Sequence, residues 1–257
     1  MSAETKQPHN QEVQAVSSAL RLLETIASQE GLGMSQLAVK ADMTHNQTHR
    51  LLATLEVNGY VARDTDRSYH LGPKIALLEQ SSNRYRRLIK AAQAPMDALS
   101  ELSGESILLA VRTGLERVVI DRRSSSHSLR VTWSIGSKLP LHVGGLGVAL
   151  LAFAPSDVLE QLLKHERHIF TAQTLTTETA LRTELEQVRS SGVRISVDDY
   201  ALGEFSVAAP ILNSRHEAVA AINIAGFTAR LTSDKRDAYC QAVKNSAKQI
   251  AEALFAP

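Results

Sequence analysis

Apolar positions recur three times with helical spacing near the start of the chain and then give way to short alternating runs. Val16, Leu20, Leu23 and Ala27 step by four, three and four, with Ile26 beside them, which predicts a first helix whose inner face they form. Gly31 and Gly33 end it, and Ser35 is placed to cap a short second helix carrying Leu37, Ala38 and Ala41. Asp42-Met43-Thr44 reads as a turn with Thr44 as the next cap. Thr48, Leu51, Leu52 and Leu55 then hold the inward side of a third helix, stopped by Asn58-Gly59. Residues 60–63, the polar run 64–67 and residues 68–71 outline a β-hairpin. Three helices, a very short turn between the second and third, and a hairpin make up the plan of a winged helix-turn-helix.

The second part of the chain patterns differently. Residues 74–93 read as a linker helix with Arg84, Arg86, Arg87 and Lys90, and Pro95 is suited to open another helix that ends by Ser103-Gly104. Short β-like runs follow at 107–112, 117–123 and 129–133, helical ones at 147–154, 156–165 and 177–190, and strands again at 193–197, 206–212 and 218–225. A last helix, 233–255, carries Tyr239, Val243, Ile250 and Leu254 on one face. The class expected is α+β, with an antiparallel sheet flanked by helices. The expected organisation is a disordered tail over 1–12, a winged helix-turn-helix over 13–73, a linker helix over 74–93 and a second domain over 94–257.

Composition narrows the function. Of the 257 residues, 44% are hydrophobic and only 4% aromatic, enough for proper cores built from Leu, Val, Ile and Ala. No stretch approaches the roughly 18 consecutive apolar residues of a membrane helix, and the polar first ten residues do not read as a signal peptide. The single cysteine, Cys240, forms no internal disulfide and offers no metal-site spacing, which suits a reducing cytoplasm. Net charge is +1, and residues 1–80 hold seven Lys and Arg against nine Asp and Glu. Bulk charge therefore does not argue for a nucleic-acid partner; placement has to.

Placement does. In a helix-turn-helix the N-terminal residues of the second motif helix face base edges in the major groove. Here that helix begins Thr44-His45-Asn46-Gln47-Thr48-His49-Arg50, and the inward spacing leaves His45, Asn46, Gln47 and His49 outside. Asn and Gln match adenine, and Arg50 matches guanine or a phosphate. Arg63 and Arg67 flank the hairpin tip, within reach of phosphates or the minor groove. The same residues would also serve as the ordinary solvated face of a small helical domain. Elsewhere, His165-Glu166-Arg167-His168 lacks a third metal ligand, Asp198-Asp199 reads as a surface turn, and His142 reads as structural with a capacity to sense pH. There is no phosphate loop, nucleophile elbow or zinc-protease helix, so no catalytic residue, metal or cofactor is expected.

Several stretches together resemble the IclR family of bacterial transcription regulators. They are Val13-Gln14-Ala15-Val16, the run Thr48-His49-Arg50-Leu51-Leu52-Ala53-Thr54-Leu55-Glu56, Gly59-Tyr60-Val61 and Tyr69-His70-Leu71-Gly72-Pro73. In the second part Gly136-Ser137-Lys138-Leu139-Pro140-Leu141-His142, Leu146-Gly147-Val148-Ala149-Leu150-Leu151-Ala152, Ala208-Ala209-Pro210-Ile211, Val219–Gly226 as a closing strand and Arg230-Leu231-Thr232 resemble it in the same order. The resemblance implies a winged-helix domain, a linker helix and a GAF-like effector domain. It also implies dimers, often paired into tetramers, on palindromic or repeated double-stranded operators with half-sites about 34–36 Å apart. Effectors of such proteins are small organic acids or aromatic catabolites.

Carried over position by position, the resemblance puts effector contacts at Gly145, Leu146, Ser196, Ser206, Asn223 and Ala225, walled by Val131 and Trp133. A helix start at Gly145 would favour a carboxylate, and the Ser and Asn side chains would orient it. The chain departs from the family pattern with Ser196-Val197-Asp198-Asp199, Ser206 and Gly144-Gly145-Leu146-Gly147-Val148, which implies either a roomier, less negative pocket or neutral repacking. A rival class remains a small-molecule hydrolase built on the C-terminal domain, and a third is an adaptor whose winged helix binds protein.

Overall fold

The computed structural model describes residues 13–81 and 83–255, so the expected tail over 1–12 lies outside the described residues. The chain divides into two compact units, residues 1–83 and 84–257.

The first unit holds α1 (Gln14–Ser28), β1 (Leu32–Gly33), α2 (Met34–Lys40), α3 (His45–Val57), β2 (Val61–Arg63), β3 (Ser68–Leu71) and α4 (Pro73–Ser81). Its three strands pair antiparallel in the order β1-β3-β2. Thr44 caps α3 as expected, its hydroxyl oxygen accepting from the Gln47 N–H at 3.3 Å. Thr48, Leu52 and Leu55 turn inward, and Gly59 follows the helix at φ +74°, a left-handed stop. The hairpin tip closes through Arg67 at φ +70° and through Asp66, whose carboxylate accepts from the backbone and hydroxyl of Ser68. These bonds hold the Asp66 carboxyl below the usual carboxylate range.

Two expectations fail here. The inward face of α1 is Ser18, Leu22 and Ile26, while Val16 and Leu20 stay more than half exposed at 55% and 54%. The helix carries two apolar stripes, and the one with a spacing of four fits the pit between α2, α3 and β3, where Leu22 and Ile26 meet Leu37, Leu52, Val61 and Tyr69. The second concerns α2, which is opened by Gly33 rather than capped by Ser35: the Gln36 side chain accepts from the Gly33 N–H at 3.0 Å.

The second unit begins with α5 (Asn83–Ser103), followed by β4 (Ser106–Thr113), β5 (Glu116–Arg123), β6 (Lys138–Pro140), α6 (Gly144–Ala152), α7 (Ser156–Leu163), α8 (Glu178–Ser191), β7 (Arg194–Val197), β8 (Glu204–Leu212), β9 (Ala218–Phe227) and α9 (Ser233–Phe255). One six-stranded sheet runs β6-β5-β4-β9-β8-β7, every neighbouring pair antiparallel. Strand alternation sends Ile107, Leu109, Val207, Ala209, Ile222 and Ile224 to one face, where α5 and α9 pack through Leu88, Met96, Leu99, Tyr239, Val243 and Ile250. The other face carries Leu108, Ala110, Val119, Ala208 and Ala221 under α6, α7 and α8. The α+β class is as expected.

The details differ where packing overrides local preference. Residues 74–81 and 83–93 of the expected linker are helical, in α4 and α5, and Pro95 lies inside α5 instead of opening a new helix. Proline removes one helical hydrogen bond, but Leu88, Ala92, Met96 and Leu99 keep one continuous stripe on the sheet across it. The strand expected at 129–133 is irregular; Lys138–Pro140 pairs with β5 in its stead. Side chains hold the irregular segment, with Ser106 donating to the Val131 carbonyl at 2.7 Å and Arg122 to the Trp133 carbonyl at 2.9 Å.

Candidate functional site

Two places in the fold collect the residues singled out in the sequence, one in each unit.

On α3, His45, Asn46, His49 and Arg50 are exposed, as is the capping Thr44. From Thr44 to Leu55 this segment has no acidic residue, so the net negative count of the first eighty residues does not fall on this face. Gln47 departs from its expected place. It is half-buried and its amide donates to the Ser18 hydroxyl of α1 at 3.2 Å, tying the two helices together. Gln47→Ala should therefore cost about 1 kcal/mol of stability, the worth of a hydrogen bond; urea unfolding of this variant checks it. Arg63 and Arg67 are both exposed on the wing, and the Arg63 guanidinium lies 5.5 Å from the Tyr69 ring centre, which orients it.

In the second unit Val131, Trp133, Gly145, Leu146, Ser196, Ser206, Asn223 and Ala225 all line a single small cavity of about 40 Å³. Alternation explains the convergence. Leu108 on β4, Asn223 and Ala225 on β9, Ser206 on β8 and Ser196 on β7 share the face of the sheet that α6 covers. Asn223 is fully engaged: its carbonyl oxygen accepts from the Leu108 N–H at 3.1 Å and its amide donates to the Ser206 oxygen at 2.7 Å. Ser206 keeps its hydroxyl proton to offer. Trp133 packs on Tyr200 at 5.0 Å, Tyr200 on Phe170 at 5.3 Å, and Phe170 edge-on with His168 at 4.6 Å, so three loops meet in one aromatic chain beside the cavity.

The pocket is neither widened by glycine nor emptied of acid. Helix α6 starts at Gly144, earlier than the expected 147, because it presses directly on β8. A Cβ on Gly145 would lie 2.5 Å from the Ser206 oxygen and 3.0 Å from the Ala208 Cβ, so this glycine permits contact rather than space. Asp199 is not in a surface turn: it is buried at the cavity wall, taking the Ser196 hydroxyl at 2.5 Å and the Gly144 N–H at 3.2 Å, with Arg194 at 3.6 Å. Its neighbour Asp198 is the turn residue, at φ +59°. Glu204 also lines the cavity, and burial holds its carboxyl above the usual range.

The residue that sequence reasoning missed is Arg117, on β5 and in the cavity wall. It is only 3% exposed, and burial pulls its pKa down to about 10. The parity signal was available, since Arg117 and Val119 fall on the same strand face and Val119 is a core residue. His142 is buried as well, its Nε2 beside the His168 carbonyl at 3.1 Å, and desolvation holds it below the ordinary imidazole range. Among the described residues no group of three or more His, Cys, Asp and Glu is placed to hold a metal ion. Also among them, no helix is long and apolar enough to cross a membrane.

A winged helix-turn-helix joined to an α+β domain with a pocket is the architecture of a transcriptional regulator. Residues 15–65 match the IclR helix-turn-helix domain, and residues 81–252 match the bacterial transcriptional regulator IclR C-terminal domain. The chain belongs to the IclR family of bacterial transcriptional regulators. It is 31% identical over 248 residues to the transcriptional repressor IclR of Escherichia coli (strain K12), covering 95% of this chain and 90% of that protein. It is 30% identical to the HTH-type transcriptional regulator BhcR of Paracoccus denitrificans (strain Pd 1222), covering 93% and 86%. Among solved structures, the Thermotoga maritima IclR superposes with a TM-score of 0.73 at 28% identity, over 95% of this chain and 99% of that one. An IclR homolog complexed with 4-hydroxybenzoate from Microbacterium hydrocarbonoxydans superposes with a TM-score of 0.77 over 95% and 100% at 22% identity, a likeness of fold.

Proposed function

We propose that this transcriptional regulator binds double-stranded operator DNA through the exposed face of α3 and the arginines of its wing. A small organic acid or aromatic carboxylate in the C-terminal cavity modulates that binding. The observation that carries the reading is the convergence of the eight effector positions, drawn from three strands, one helix and one loop, on a single cavity. A homodimer, paired into a tetramer, supplies the two-fold symmetry that a palindromic operator needs. The cytoplasm is the compartment for such a protein, and it needs no cofactor.

A hydrolase is the weaker reading. The two serines in the cavity are engaged with Asn223 and Asp199, and neither has a histidine partner to activate it. Fluorescence anisotropy on the DNA upstream of the protein's own gene, across salt and with 4-hydroxybenzoate and other small carboxylates, tests the sensor reading. Expected are a binding constant that falls steeply with salt and a shift of the isotherm by at least one acid. Ser206→Leu, which fills the cavity floor, should abolish that shift. Absence of DNA binding at every salt concentration, together with turnover of simple esters, would replace the proposal with the hydrolase.

A further inference from the structure

A guanidinium with no counter-charge is built into the cavity wall. Arg117 is 97% buried by its 3% exposure, and its Nε and Nη1 have no hydrogen-bond partner among the described residues. What surrounds it is aromatic. The Trp133 ring centre lies 4.6 Å from the guanidinium carbon, and Tyr200 packs on Trp133 at 5.0 Å. A buried cation without an anion is costly to a fold, whereas a planar five-donor fork under a ring is well formed to receive a carboxylate.

The other feature of the cavity that would attract an anion is already taken. The first N–H of α6, at Gly144, donates to one oxygen of Asp199 at 3.2 Å, and the Ser196 hydroxyl donates to the other at 2.5 Å. Asp199 thus occupies the helix end with a carboxylate of the protein's own, and a second carboxylate there would be repelled. Arg117 offers the anionic end of a ligand a place away from that carboxylate.

We infer that Arg117 is the anion-holding residue of this cavity, so that a ligand's carboxylate accepts from its guanidinium beside Trp133 and Tyr200. The ligand's apolar body then lies along Leu108, Val131 and Leu146, and the Ser206 hydroxyl meets a polar group at its other end. Strand order supports that polarity. Arg117 on β5 and Ser206 on β8 are three strands apart, about 14 Å between backbones at ~4.8 Å per step, so the cation lies on one side of the cavity and the serines and acids of β7, β8 and the loop between them on the other. The inference rests on the sensor reading of the cavity given above.

Thermal melting and calorimetric titration of the full chain test it, with paired probes: acetate and acetamide, benzoate and benzamide, 4-hydroxybenzoate and 4-hydroxybenzamide. At least one acid should bind the wild type and raise its melting temperature where its amide does not. Arg117→Met should weaken that acid about 10- to 100-fold, the loss of a charged hydrogen-bonded contact. Without ligand it should melt higher than the wild type, because an unpaired buried charge is gone. Arg117→Lys should keep the preference for acid over amide at lower affinity, and Asp199→Asn should keep or improve acid binding. Undiminished acid binding by Arg117→Met overturns the inference, as does loss of acid preference in Asp199→Asn but not in Arg117→Lys. If no acid binds the wild type while some neutral compound shifts the operator isotherm, the inference falls with the acid named under the proposed function, and ligand-modulated DNA binding stands. If nothing shifts the isotherm, the sensor reading itself falls.

Discussion

Arg50→Ala weakens operator binding about 10- to 100-fold in the expected result, equivalent to roughly 1–3 kcal/mol for one well-made base contact. Arg50 sits on the outward side of α3, opposite the buried line of Thr48, Leu52 and Leu55, and its side chain is exposed and engaged with no carboxylate among the described residues. Removing it leaves the fold's core untouched, so circular dichroism and melting should match the wild type. Salt dependence then tells which contact was lost. A slope of log affinity against log salt that falls by about one assigns Arg50 to a phosphate, and an unchanged slope with relaxed sequence preference assigns it to a base. Wild-type affinity in Arg50→Ala would remove α3 as the reading helix.

The second large effect is on stability. Glu105, at the start of β4, is buried and gripped by Arg230, with both pairs of atoms at 2.6 Å, which ties the end of β9 to the strand beside it. Gly226 lets that happen: a Cβ there would stand 2.5 Å from the carboxylate oxygen. Glu105→Ala should cost about 2–3 kcal/mol. That is near the low end of the range for breaking a buried pair, because Arg230 retains 23% exposure and can turn its charge toward water. The expected readout is a lower urea midpoint with an unchanged slope. A loss under about 0.5 kcal/mol, the size typical of surface pairs, would show that the bond contributes little.

The sequence was most legible where one signal had no competitor. Thr44 followed by Thr48, Leu52 and Leu55 could only be a capped helix with that face inward, and the structure has it so. It misled where two patterns overlapped. Val16, Leu20, Leu23 and Ala27 make as good a stripe as Ser18, Leu22 and Ile26, and only the shape of the neighbouring helices decides between them. Pro95 is a helix breaker by local rule, yet α5 continues through it because burial on the sheet is worth more than one missing hydrogen bond. The paired glycines of Gly144-Gly145 read as room in the pocket or as neutral repacking, and they serve as the flat side on which α6 meets β8.

The candidate site divides in the same way. Positions carried by family resemblance converge in space, whereas the polarity of the cavity was hidden. An arginine in a strand reads as solvent-facing, and an Asp-Asp pair reads as a turn; tertiary structure buries both Arg117 and Asp199 in the lining of one cavity. Strand parity with Val119 offered a signal for Arg117, whereas Asp199 follows a strand end and no spacing places it.

Trp133 is the chain's only tryptophan, and it sits against Arg117 and Tyr200 at the cavity. The protein therefore carries its own optical probe. Light absorbed by indole reports from this one location and from no other, so a titration followed by intrinsic emission reads cavity occupancy directly. It needs neither a label nor DNA.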